Sequence, residues 1–67
     1  MLKTVGSQVV RISRGHAIVK RWCKEDVPGK APKNHVFYDI CEYQDGEVGE
    51  HLKSFVTLRA AVKCLFS

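Results

Sequence analysis

A chain of 67 residues has room for one domain and one small core, and its 45% hydrophobic and 27% charged content is that of a folded domain, not a disordered tail. The net charge of +4 is unevenly spread: residues 1–34 set eight Lys and Arg against Glu25 and Asp26, for +6, whereas residues 35–67 set three against five carboxylates, for −2. No apolar run approaches the roughly 18–20 residues that cross a bilayer, residues 1–7 lack the apolar core of a secretory leader, and so short a chain leaves little room for a deep catalytic cleft.

These bounds lead us to expect a complete, cytoplasmic, single-domain protein (residues 1–67) with no membrane partner. Residues 1–7 are read as a flexible lead-in. Residues 8–13 and 16–22 are two β-branched-rich runs separated by Arg14-Gly15, a hairpin signal. Counting outward from a two-residue turn pairs Ser13 with His16, Ile12 with Ala17, Arg11 with Ile18, Val10 with Val19 and Val9 with Lys20. Val10, Ile12, Ala17 and Val19 then share an apolar face, and Val9, Arg11, His16, Ile18, Lys20 and Trp22 share the other.

Residues 24–34 hold both prolines and no apolar periodicity, which reads as a long loop, with Pro28-Gly29 suited to the centre of a type II turn. Strand character resumes over residues 35–43, and Asp45-Gly46 marks a second hairpin leading into residues 50–56. The pattern does not choose between a two-residue and a four-residue loop there, so this register stays open. Thr57 is a candidate N-cap, followed by Leu58, Ala61, Val62 and Leu65 at helical spacing, with Arg59 and Lys63 on the outer side. The expected fold is α+β: a four-stranded antiparallel meander of two hairpins, with one C-terminal helix packed on one face. Phe37 and Phe55 are assigned to its core, and Trp22 more to the core than to the surface.

Cys23, Cys41 and Cys64 are odd in number and widely spaced, and no CxxC or HxxxH pair would preassemble metal ligands. We expect free thiols, with Cys41 and Cys64 at the edge of the core, and neither metal nor cofactor. His16, His35 and His51 read as surface strand residues. Asp39, Glu42, Glu47 and Glu50 read as solubilising carboxylates, and no nucleophile, base and orienting group stand together, so an enzyme is not expected.

The residues left for function are the cations of the first half. Arg11, Arg14, Lys20, Lys24, Lys30 and Lys33, with Trp22 among them, combine long basic side chains with an aromatic ring, the ingredients of a nucleic-acid contact. The same cations would also fit an acidic protein surface, because charge alone does not distinguish phosphate from carboxylate.

The stretch Leu52-Lys53-Ser54-Phe55-Val56-Thr57-Leu58-Arg59-Ala60-Ala61 is similar to the L-x-x-F-x-T-x-x-x-A ending of small sheet-plus-helix DNA-binding modules. These include the ethylene-responsive-factor domain of plants and the arm-binding domains of phage and transposon integrases. The resemblance spans residues 52–61 and implies a last strand running into a helix behind a sheet whose opposite face enters the major groove. It carries the fold-making positions Phe55, Thr57 and Ala61, and the tryptophan-rich, Arg-studded strands of the plant domain have no counterpart here.

Two expectations of function follow. One is nucleic-acid binding through the first hairpin and the lysine loop. The other is a stand-alone inhibitor or adaptor of the phage or mobile-element kind, anti-CRISPR-like, which turns the same face toward an acidic or nucleic-acid-binding protein. An exposed edge strand also offers a route to a homodimer.

Overall fold

The computed structural model describes residues 2–66. Four strands, β1 (Leu2–Ser13), β2 (His16–Glu25), β3 (Lys33–Gln44) and β4 (Glu47–Phe55), are followed by one helix, α1 (Leu58–Phe66). The strands form one antiparallel sheet in chain order, as the meander expectation requires. From Leu2 onward, the segment read as a flexible lead-in is the first half of β1. The long loop shrinks to residues 26–32, because β2 continues through Lys24 and Glu25 and β3 starts at Lys33.

Three glycine-containing turns fold the meander. Arg14 and Gly15 both have positive φ, at 50° and 76°, as do Asp45 and Gly46, at 54° and 80°. Two left-handed residues in a two-residue loop are the mark of the type I′ hairpin, whose twist matches that of the strands. The second hairpin therefore takes the two-residue option, with Gln44 opposite Glu47. In the remaining loop, Lys30 N donates to Val27 O at 3.1 Å across Pro28 and Gly29. Gly29 has a φ of 78°, as the third position of a type II turn requires.

Opposed residues of an antiparallel pair share a face, so the register sorts the side chains into rows. On one face these rows are Arg11–Ile18–Ile40–Lys53, Gln8–Lys20–Tyr38–Phe55, Gly6–Trp22–Val36 and Lys3–Lys24–Asn34. On the other they are Ile12–Ala17–Cys41–His51, Val9–Val19–Asp39–Ser54, Ser7–Arg21–Phe37, Thr4–Cys23–His35 and Leu2–Glu25–Lys33. The pairing counted out from Arg14-Gly15 holds for Ser13, Ile12 and Arg11 and then fails. The register shifts between Val9 and Arg11, leaving Val10 as an extra residue and placing Val9, not Val10, opposite Val19. A second irregularity, between Thr4 and Gly6, sets Val5 aside in the same way.

The helix packs on the face that holds Ile18. Ile18, Ile40 and Ala61 form the core, with Tyr38, Phe55, Val62 and Leu65 against it. The Ala17–Val19 face, read from the sequence as the apolar one, is not the face the helix covers. Ala17 is fully buried all the same, while Ile12 beside it is 53% exposed. Thr57 caps the helix as expected: Ala60 N donates to Thr57 Oγ1 at 3.2 Å, and Ala61 N donates to the Thr57 carbonyl at 3.3 Å. Leu58, expected in the buried stripe, is 41% exposed, and Ala61 is the buried residue of the first turns. Phe37, assigned to the core, lies half-buried on the open face, with the Arg21 guanidinium 5.0 Å from its ring centroid.

Nine helical residues span only about 13 Å, whereas a twelve-residue strand runs about 40 Å. The helix therefore covers the end of the sheet nearer the two hairpin turns. β4 ends opposite Tyr38, so the far half of the sheet is three-stranded and uncovered on both sides. The molecule is elongated, 45 × 23 × 16 Å.

Candidate functional site

From the edge of the core outward, the helix-side face carries three successive rows with an unusual charge content. Lys3 and Lys24 stand opposite each other, Trp22 lies between Gly6 and Val36, and Lys20 lies between Gln8 and Tyr38. Among the described residues, these rows hold no carboxylate. Trp22 is the chain's single tryptophan, and the reason it lies here is local. Gly6 has no side chain, and a Cβ built on it would meet the indole Cε3 at 3.4 Å, so the ring occupies the space above the glycine backbone. The Lys20 ammonium is 5.3 Å from the indole centroid, within cation–π range. Trp22 is half-buried and belongs to this platform, outside the Ile18–Ile40–Ala61 core.

The residues singled out from the sequence divide into three groups. Lys20, Trp22 and Lys24 fall together on the platform, and Lys3, which the sequence did not single out, joins them. Arg11 shares their face but lies under the helix end, its guanidinium 5.0 Å from the Phe66 ring centroid. Arg14 sits in the hairpin turn, while Lys30 and Lys33 are at the opposite end of the sheet, about 30 Å away along the ten residues of β2. Lys33 is also in register with Glu25 on the other face. Arg14 therefore does not form one surface with the lysine loop. Lys3 comes opposite Lys24 through the second β1 irregularity, which leaves no mark in the sequence.

The opposite face is built around a carboxylate. Asp39 is 5% exposed and receives Arg21 Nε at 2.7 Å and Arg21 Nη2 at 3.4 Å. Ser54 Oγ donates to Asp39 Oδ1 at 2.7 Å. Burial pushes the Asp39 carboxyl up, but the hydrogen bonds from Arg21 and Ser54 and the charges of Arg21 and His51 outweigh it and hold it below the ordinary carboxylate range. Its hydrogen bond to Asp39 raises the Arg21 guanidinium in turn. Arg21 Nη1 also donates to Cys23 Sγ at 3.4 Å. Burial, helped by the charge of Asp39, pushes the Cys41 thiol up. Asp39, read from the sequence as solubilising, is thus the anchor of a polar cluster.

Ser54, His51 and Asp39 bring the three residue types of a hydrolytic triad together, but in the wrong relation. With the Ser54 hydroxyl proton committed to Asp39, His51 Nε2, at 2.8 Å from Ser54 Oγ, must donate its own proton to that oxygen. The imidazole is then no base toward Ser54, and the cluster is a closed hydrogen-bond network. On the same face, His35 Nε2 lies 3.4 Å from Glu25 Oε1. His16 Nδ1 donates to the Arg14 carbonyl at 3.1 Å, across the turn.

Cys23 and Cys41 are buried; Cys64, expected at the core edge, is exposed and lines a shallow depression beside Ile40 and Leu65; none of the three is in a disulfide. No group of three His, Cys, Asp or Glu among the described residues could hold a metal ion. A depression of about 680 Å³ opens at the hairpin-turn end, with Glu42, Asp45 and Glu47 in its lining, remote from the lysine platform. No helix of the described residues is long and apolar enough to cross a membrane. Comparison with protein-family models, curated proteins and solved structures finds no match to this chain.

Proposed function

We propose that this protein binds single-stranded nucleic acid on the platform formed by Lys3, Lys20, Trp22 and Lys24. The observation that carries the proposal is the three successive cross-strand rows with three lysines around one indole and no carboxylate among the described residues. Lysines that follow a backbone and an aromatic ring on which a base stacks are the two components of sequence-tolerant single-strand binding. Lys30, in the loop at the same end, extends the positive field. The cations lie on the helix side, so this docking differs from the one implied by the resemblance at residues 52–61, in which the face opposite the helix enters a duplex groove.

Quenching of Trp22 fluorescence by an oligothymidylate is the direct test, because the chain has one tryptophan. Neutralising three phosphates gives a slope of log K against log salt of about −2, hence about a twentyfold loss of affinity between 50 and 200 mM salt. Lys20→Glu with Lys24→Glu should abolish the quench, while Lys33→Glu on the other face should reduce it little. Absence of binding by the wild type at low salt would reject the nucleic-acid reading. Capture of an acidic protein by the same lysines, without base stacking, would instead favour the inhibitor or adaptor reading.

A further inference from the structure

We infer that a second copy of this chain packs against the sheet face that the helix leaves open, giving a two-fold, face-to-face dimer. The first ground is area. A folded monomer of 7.6 kDa is expected to expose about 4,300 Å². This chain exposes 4984 Å², an excess of about 700 Å², close to the roughly 800 Å² each partner contributes to a standard interface. A sheet normally has a second layer on its apolar face, and here one side is covered by a single short helix and the other is bare.

The second ground is what the bare face presents. Val9, Ile12, Val19, Phe37, Tyr43 and Val48 lie on it, with Ile12 and Val48 53% and 45% exposed. Sheets that pack face to face interdigitate residues of this kind across about 10 Å. The polar cluster at its centre is already satisfied, since Asp39 has Arg21 and Ser54, and no buried side-chain nitrogen or oxygen among the described residues lacks a partner. The Asp39 carboxylate thus enters the interface already paired, and the remaining Arg21 N–H donors face the partner.

The third ground is charge, and it permits a copy of the same chain here while opposing one at the lysine platform. With neutral histidines, the rows of this face hold Arg21 and Lys33 against Asp39 and Glu25, a net charge of zero. Two neutral faces meet without repulsion, whereas two lysine platforms would repel each other. The edge of β1 is a poorer site for self-pairing, because its two register irregularities break the ladder.

Sedimentation equilibrium of the full chain, from low micromolar to near-millimolar concentration, tests the inference. The mass should rise toward twice 7.6 kDa. In a two-fold interface each substitution acts twice, so Ile12→Glu and Val48→Lys should each weaken association at least about tenfold with an unchanged circular-dichroism spectrum. Lys20→Glu, on the other face, should still dimerise. A wild type that stays monomeric throughout overturns the proposal. So does a dimer that persists in both open-face variants, since association would then use another surface.

Discussion

Replacing Ile18 with alanine tests which side of the sheet carries the core. Ile18 has no exposed surface and lies between Ile40 and Ala61, with Tyr38, Phe55, Val62 and Leu65 around it. Truncating such a side chain costs about 2–5 kcal/mol in lost transfer energy and cavity. A domain of this length has only about 3–10 kcal/mol of stability to lose, so Ile18→Ala should lower Tm by at least about 10 °C or leave a partly unfolded population. Ile12→Ala is the matched control, because its parent residue is about half exposed on the opposite face. It should cost under about 1 kcal/mol in dilute solution, with any larger effect appearing only as concentration favours the dimer. Urea denaturation followed by circular dichroism at two protein concentrations separates these cases, provided m is the same for wild type and variants. An Ile12→Ala cost exceeding that of Ile18→Ala at the dilute limit would refute the assignment of the core to the helix side.

Three further outcomes are expected. Thr57→Ala should cost about 1 kcal/mol through loss of the Ala60 N–H acceptor, while Leu58→Ala should cost less than Leu65→Ala, as chemical denaturation will show. Asp39→Asn should destabilise by about 1–3 kcal/mol, less than a fully buried pair because Arg21 is partly exposed. Since Asp39 is held below its ordinary range, its contribution is complete above the unfolded carboxylate value near 4 and is lost as pH falls through the lower folded value, so the stability of Asp39→Asn should decline less steeply in acid than that of the wild type. Arg14→Asn should stabilise the first hairpin by about 0.5–1 kcal/mol, because asparagine tolerates the left-handed conformation better, and should leave oligonucleotide affinity unchanged, because Arg14 lies far from the platform.

Much of the fold is legible in residues 14–15, 28–29, 45–46 and 57, because turn and cap chemistry act over a few neighbouring residues. Arg14-Gly15 and Asp45-Gly46 specify hairpins, Pro28-Gly29 a type II turn and Thr57 the helix start, and each forms as its local sequence dictates. The choice of core face is not local. β2 carries Ile18 and Trp22 on one side and Ala17, Val19 and Cys23 on the other, so its periodicity suits either assignment. The decision comes from where α1 docks, and from one extra residue in β1 that moves Val9 to the other face. A bulge adds no distinctive residue type to the sequence, and so an alternation count passes through it unaware. The Asp39 cluster was hidden for a related reason: Arg21, Asp39 and Ser54 are separated by 18 and 15 positions, and become neighbours only once two registers are set.

The charge step at mid-chain has the same explanation. Within β2, Lys20 and Lys24 occupy even positions beside Trp22, while Arg21 occupies an odd one beside Cys23. Because successive side chains point to opposite faces, one ten-residue strand supplies both a cationic surface and a neutral one. Arg21 is neutralised by its diagonal neighbour Asp39, and Glu25 is in register with Lys33. No such partner stands in the rows of Lys20 and Lys24 among the described residues. The half-chain sum of +6 therefore overstates what an anionic ligand would meet on the open face and understates the concentration of charge around Trp22. A single substitution separates the two faces: Val36→Glu, on β3 between the platform lysines, adds a carboxylate beside Trp22 without touching the Asp39 cluster. It should weaken oligonucleotide binding more than Phe37→Glu one position on, whereas Phe37→Glu should weaken association more than Val36→Glu; the reverse pattern would mean that the two surfaces have been assigned to the wrong sides of the sheet.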